Sequence, residues 1–446
     1  MSDAQTSAGS KRRGRFRRIF KTIAYPLVAL LLIGWEVQEA HVYQSEDCDL
    51  KTSAPSESGL MKPMYSGVLR LTGLHGSPQV VSLGIDENLQ FIQTNVCPAR
   101  SFTADLVKAV ASQGPALIAI DKYYTQGVCS KDDSDTDTTA LLSAIENVDV
   151  PVVVGASTTG SRDKINTSSC LAAVPQLFTR RADGPSIPPN VHTGLTRLNE
   201  NPLKIPLTWD IFSSDSAGAN LTTANSFALT VAELIKPELQ ADAKFQQLLK
   251  SPQQPYANTS DLPQNTKVSD LLCAVASSDV RTRWNLTCAP DAQKLDLKGK
   301  IVVLGAESSA DKYSVLGKDV YGYQLQAGYI AALLNGAYLR DIPPAWLLLP
   351  LLLFYLGAEI LLPYMEIHKH PVWPLWHVKY AIVWEIGLFG ATMLVGFFVP
   401  LLFHRFPPVA MLLVVTAVFV PDALFESWYV MNERLEEEEA EKELRS

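Results

Sequence analysis

The sequence predicts an α/β protein: a mostly parallel sheet with helices on both faces, tethered by four transmembrane helices, one N-terminal and three C-terminal. Three observations predict it. Four continuous apolar runs, VVSLGID (80–86), ALIAIDKYY (116–124), VPVVVGA (150–156) and IVVLGA (301–306), are separated by helix-patterned segments. Strands that are apolar throughout are those of a parallel sheet covered on both faces. The long apolar stretches lie only near the two ends of the chain, and all six cysteines (Cys48, Cys97, Cys129, Cys170, Cys273, Cys288) fall between them. Cysteines in even number, confined to one segment, are what an oxidising compartment produces.

The chain of 446 residues opens on a basic cytoplasmic arm, residues 1–18. Lys11, Arg12, Arg13, Arg15, Arg17 and Arg18 stand there against one acid, Asp3, and precede the first span, 19–37. Lys/Arg asymmetry keeps that end in the cytoplasm. A signal peptide would need small residues at a cleavage site. The run continues Glu36-Val37-Gln38-Glu39-Ala40 instead, so an uncleaved anchor is expected. Residues 38–342 then form the extracytoplasmic domain, periplasmic or extracellular. Spans at 345–362, 380–402 and 408–428 return the chain to an acidic cytoplasmic tail, 429–446. The expected location is the inner (plasma) membrane, multi-pass, with both termini cytoplasmic and the lipid bilayer as a partner. No basic patch outside the arm is large enough for nucleic acid, so none is expected as a partner.

Within the domain, residues 42–78 are polar and aperiodic and read as a stalk. Helices are expected at 101–114, 138–147, 225–234, 268–276 and 322–335. Residues 157–206, rich in Ser, Thr, Pro and Asn, read as a long insertion or lid, and 236–266 as a short helical start followed by a loop. Cys273 and Cys288 are near in sequence and form the one disulfide expected by name.

In open parallel sheets, ligands sit beyond the carboxyl ends of the strands. Those ends present Asp86 and Glu87, Asp121 and Lys122, Thr158 and Thr159, and Glu307 with Ser308, Asp311 and Lys312. The acids and lysines suit a cation, an amine or a polar metabolite; the competing reading is that Asp86 and Asp121 cap helices and satisfy loop amides. No metal is expected. Asp133, Asp135 and Asp137 alternate as in an EF-hand, but Thr138 stands where its glycine belongs and Ala144 where its final glutamate belongs. The domain's histidines, His41, His75 and His192, are too far apart in sequence to suggest zinc. No nucleophile elbow, phosphate loop or dinucleotide fingerprint is present, so neither an enzyme nor a cofactor is expected. Glu359 and Glu385 fall inside expected spans, where an unpaired charge costs about 2.5–3.5 kcal/mol. They either pair with Lys379 or His377, or make a coupling contact with another span.

The ordered set IDEN (85–88), PARSFTADLVKAVASQGPALIAID (98–121), NVDVPVVVGA, SFALTVAEL, GKIVVLGAESSADKY and YGYQLQAGYIAALLNGAYLRDIPP resembles the type-two CHASE extracellular sensor domain. The resemblance covers roughly residues 60–343 and extends to one anchor before the domain and three spans after it. Two departures stand out. The family's Asp-x-Asp-Gly turn before an Arg and a Pro-Leu is here Asn199-Glu200-Asn201-Pro202, before Lys204 and Pro206-Leu207. The kinase or cyclase that usually follows is not found in these 446 residues. The resemblance implies a non-enzymatic sensor or adaptor. It would bind a small molecule or a protein outside and couple it through its helices to a membrane or cytoplasmic protein, or to a second copy. The alternative is a constitutive structural subunit of a membrane complex, its ectodomain an assembly surface.

Overall fold

The computed structural model describes residues 68–69, 72, 77–85, 100–124, 135–160, 171–173, 188–198, 202–215, 218–250, 254–257, 262–288, 295–308, 311–315, 318–340 and 379–405. The chain divides into two compact units, residues 44–340 and residues 1–43 with 341–446.

The first unit is built on a sheet of six parallel strands in the order β10-β1-β11-β2-β3-β6. These are β1 (Val80–Ile85), β2 (Leu117–Ile120), β3 (Val152–Ala156), β6 (Val191–Leu195), β10 (Gln264–Lys267) and β11 (Ile301–Ala306). The four expected strands are its centre. The two outer strands, β6 and β10, come from the stretches read as a lid and a loop. Each has a parallel neighbour on one side only, and neither carries the continuous apolar run that marks a strand in sequence. Residues 42–78 are likewise more than a stalk: Val68, Leu69 and Ser77 are buried.

Alternation along the strands sorts the two faces. Val81, Leu83 and Ile85, with Ile118, Ile120, Val152, Val154, Val302 and Leu304, form a core with α1 (Arg100–Ala111), α2 (Asp135–Glu146) and α5 (Val268–Val275). α1 places Phe102, Leu106, Val107 and Val110 on this core, at the spacing of one helix face. The opposite face receives α3 (Phe227–Ile235) and α7 (Gly322–Asn335), which also pack on each other. Ser226 starts α3 by accepting the Leu229 N–H at 3.1 Å, and Gly336 ends α7 in the left-handed conformation, at φ 64°. α4 (Ala243–Leu249) and α6 (Ser278–Arg283) are short peripheral helices.

Cys273 and Cys288 are bonded, closing a loop with α6 inside it. The loop sets Trp284 edge-on against Phe102, ring centroids 5.2 Å apart, and its Nε1–H donates to Asp105 at 2.9 Å. A second sheet holds β4 (Thr158–Gly160), β5 (Leu171–Ala173), β7 (Thr208–Asp215) and β8 (Gly218–Asn225). Two small antiparallel pairs are also described: the hairpin of β12 (Lys312–Val315) with β13 (Lys318–Tyr321), and β9 (Tyr256–Ala257) with the distant β14 (Tyr338–Leu339).

In the second unit the described residues form one helix, α8 (Lys379–Leu402), of 24 residues, over the stretch expected as the third span. Among the described residues no helix is found that is long and apolar enough to cross a membrane. α8 has the length, about 36 Å at 1.5 Å per residue, but most side chains of its first half, Glu385 included, lie outside the described residues. The other three spans, and Glu359, lie outside them altogether.

Candidate functional site

The helices after β1 and β2 cover one face of the sheet, and the helix after β11 covers the other. The chain therefore parts between the carboxyl ends of β11 and β2, the point where open α/β sheets bind ligands. β2 stops at Ile120, because the next residues turn: Asp121 N–H donates to Leu304 O at 2.7 Å and Lys122 N–H to Ile120 O at 2.8 Å. Asp121 and Lys122 thus stand just past the sheet. Opposite them, Asp311 N–H donates to Ser308 O at 3.0 Å. The Asp311 carboxylate accepts from the Tyr313 hydroxyl and from the N–H of Gly322, the first residue of α7. A Cβ on Gly322 would lie 2.6 Å from Asp311 Oδ1, so only glycine admits this approach.

The electrostatics are unfavourable in a specific way. Burial, then the charge of Asp311, raises the Asp121 carboxyl well above the usual range, with Lys122 pulling it back. Burial also raises Asp311, against the hydrogen bonds from Tyr313 and Gly322 and the charge of Lys122. Burial pushes the Lys122 amine down to about 8, against both carboxylates. The Tyr313 hydroxyl is pushed up to about 12, by burial and then by Asp311. Half-buried acids that repel each other beside a desolvated amine are a poor device for holding a fold together. At the mouth of a sheet they mark a candidate functional site.

A second polar group sits beside them. The Tyr323 hydroxyl is 3.1 Å from Glu307 Oε1 and 3.1 Å from Asn265 Oδ1, and Ser82 Oγ donates to the same Asn265 oxygen at 3.1 Å. Tyr323 reaches this position because Gly84 and Gly305 beneath it have no Cβ; one on either would overlap it. Further along α7, Gln326 is fully buried; its Nε2 donates to Thr196 O at 3.0 Å, and among the described residues its Oε1 has no partner.

A family model for the CHASE2 domain matches residues 50–361, every strand of the sheet and both sides of this crevice included. The chain belongs to the CHASE2 family. CHASE2 domains are extracellular sensor domains, so a sensor role and a periplasmic or extracellular place for this domain are consistent with the membership. Searches of curated proteins and of solved structures give no match.

Within the CHASE2 domain the structure brings together Asp121, Lys122 and Asp311 of the expected set. Glu307 is held instead by Tyr323, and Lys312 pairs with Asp319 at 2.8 Å across the β12–β13 hairpin. Thr158 and Thr159 belong to β4, in the four-stranded sheet. Asp86 and Glu87 lie outside the described residues. Tyr313, Tyr323, Asn265 and Gln326 were not legible as site residues. A glutamine in the middle of the apolar run YQLQAGYIAALL was the one available signal. Among the described residues, no group of His, Cys, Asp and Glu is arranged to hold a metal.

The departure from the family turn also acquires a place. Lys204 bridges Tyr256 of β9 in antiparallel fashion, and its amine lies 4.8 Å from the centre of the Tyr256 ring. Ala257 N–H donates to Leu203 O at 2.8 Å and Tyr329 of α7 donates to Pro202 O at 2.6 Å. On its other side β9 pairs with β14, the last strand before the chain leaves this unit. β14 is pinned again at Arg340, which donates to Lys244 O at 2.7 Å. A continuous set of contacts thus runs from α7, beside the crevice, through residues 202–204 and β9 to the exit strand.

Proposed function

We propose that this chain is a non-enzymatic, membrane-anchored sensor or adaptor. Its CHASE2 domain binds a ligand or protein outside, at the crevice formed by Asp121, Lys122 and Asp311 with the Tyr323-bound Glu307 beside it, and four membrane helices carry the state to a separate partner. The observation that carries this reading is the clustering of mutually repelling acids at the switch point of the sheet, where they serve binding better than stability. Supporting the anchor are the 24-residue helix at Lys379–Leu402, which exceeds the roughly 30 Å bilayer core, and the position of every cysteine between the apolar segments. In this reading Glu359 and Glu385 are coupling contacts between spans.

With only residues 336–344 between α7 and the expected second span, one route is α7 acting as a lever on that span. The contacts around β9 and β14 favour a different transmission, in which movement of α7 reaches the exit strand through residues 202–204. A flexible Gly/Ser insertion after Asp341 tests the coupling. Co-purification from mild detergent reads it: the insertion is expected to abolish stimulus-dependent partner association while ligand binding stays intact. Association that survives the insertion breaks the coupling reading. A stoichiometric complex indifferent to any stimulus identifies a structural subunit instead.

A further inference from the structure

We propose that β14 is a detachable strand: it leaves and rejoins β9, and α7 governs the exchange through the Tyr329 hydroxyl. The proposal rests on the sensor reading and adds the moving part by which a change in the domain reaches the exit of the chain.

The two strands of this joint are seated unequally. β9 is held along both edges. On one side Ala257 N–H donates to Leu203 O and Ile205 N–H to Pro255 O, each at 2.8 Å, and Leu203 and Ile205 are themselves buried. On the other side Tyr256 pairs with Leu339 and Ala257 with Tyr338. β14 is two residues long and, among the described residues, has β9 as its one strand neighbour. Of its two side chains Leu339 is buried and Tyr338 half-exposed. Past the strand, Arg340 reaches Lys244 O at 2.7 Å through a solvent-exposed hydrogen bond. A two-stranded ladder is marginal by itself, and segments seated on few buried contacts open locally without global unfolding. The asymmetry makes β14 the strand that moves and β9 the seat it leaves.

Both strands are tied to α7. β14 follows it after only Gly336 and Ala337. Gly336 sits at φ 64°, which a residue without a Cβ enters and leaves freely, so the helix end can act as a hinge. The β9 side is tied through Tyr329, which is fully buried and donates to Pro202 O at 2.6 Å, next to the residues that hold β9. About two turns of one helix separate this pin from the hinge. At its other end α7 supplies the Gly322 N–H to Asp311 and the Tyr323 hydroxyl to Glu307. One rigid element thus touches the crevice at its start and the joint at its end. A displacement that breaks the Tyr329 hydrogen bond loosens the seat while it pulls on the strand.

Hydrogen exchange of the full-length chain in detergent, read by mass spectrometry, tests this. Segments 254–257 and 337–340 are expected to exchange about a hundredfold faster than β1 and β11 while the domain stays folded. Ala257→Cys with Tyr338→Cys sets two cysteines opposite each other in an antiparallel pair, at a Cα spacing a disulfide can bridge. The oxidised pair, its bond mapped by mass, should slow 337–340 to the rate of β11, and neither single variant should. Tyr329→Phe should speed both segments about tenfold and leave β1 and β11 unchanged, whereas a merely structural tyrosine would speed all four. Exchange at 337–340 as slow as at β11 overturns the detachable strand. Fast exchange that the crosslink does not slow comes from amides already open to water, and overturns it as well. Exchange that Tyr329→Phe leaves unaltered, or raises equally everywhere, overturns control by α7. None of these results decides the sensor reading, which the insertion after Asp341 tests separately.

Discussion

The two faces of the central sheet are covered in unlike ways. Under α1, α2 and α5 the strands present Val81, Leu83, Ile85, Ile118, Ile120, Val152, Val154, Val302 and Leu304, and the layer closes as a dry aliphatic core. Under α3 and α7 the same strands present the buried Val153 and Val303 together with Ser82, Gly84, Ala119, Gly155 and Gly305, and the space over the small residues is filled from the helix side by Tyr323, Tyr329 and Phe227. The first face derives stability from apolar burial. The second brings a helix close enough to place hydroxyl and amide groups at the carboxyl ends of the strands. Architecture and site are thus divided between the two faces, and one sheet serves both because successive side chains point opposite ways.

The division predicts an ordered set of effects. Leu106→Ala, in the aliphatic layer, should cost about 2–5 kcal/mol, read as a lowered denaturation midpoint. A cost below ~1 kcal/mol would mean that this face is not the core. Removing the clamp over the same layer with Cys273→Ala and Cys288→Ala should cost about 3 kcal/mol, the loop entropy expected for a separation of 15 residues. Reduction of the unmutated chain should cost at least as much. On the other face Tyr323→Phe should cost about 1–3 kcal/mol, because Glu307 and Asn265 lose a shared hydroxyl. It should also lower ligand affinity, which Leu106→Ala should not do in the folded fraction.

The smallest effect concerns pH. Asp121 and Asp311 have folded-state values raised above their unfolded ones. The folded chain therefore holds more protons than the unfolded chain from about pH 4 upward, and stability falls as pH rises through that window. Lys122 is lowered from 10.5 to about 8. The unfolded chain holds the extra proton between those values, so there stability rises with pH. Melting curves should show both slopes. Asp311→Asn should flatten the acid one without lowering stability at neutral pH; a stability loss at neutral pH would make Asp311 structural and sink the binding role.

The four central strands could be read because each is buried on both faces and so is apolar at nearly every position. β6 and β10 could not, since an edge strand has a neighbour on one side only and its sequence is freed from that demand. Asp121, Lys122 and Asp311 could be found by following the chain past the end of each apolar run. Tyr313, Tyr323, Asn265 and Gln326 could not, since they come from a hairpin, an outer strand and a helix that only the folded sheet brings to one place.

Sequence alone determined that residues 38–342 carry an α/β sheet flanked by apolar segments, that Cys273 pairs with Cys288, and that acids gather at the strand ends. Each of these depends on local pattern: continuous hydrophobicity, short separation, or position after a run. Only the tertiary structure decided which acids meet, that Glu307 is drawn to Tyr323, and that Lys204 and β9 hold the exit strand. Those outcomes depend on which strands become neighbours in the sheet. β1 lies beside β11, about 220 residues later in the chain, and burial then makes adjacent charges and orphaned amides matter.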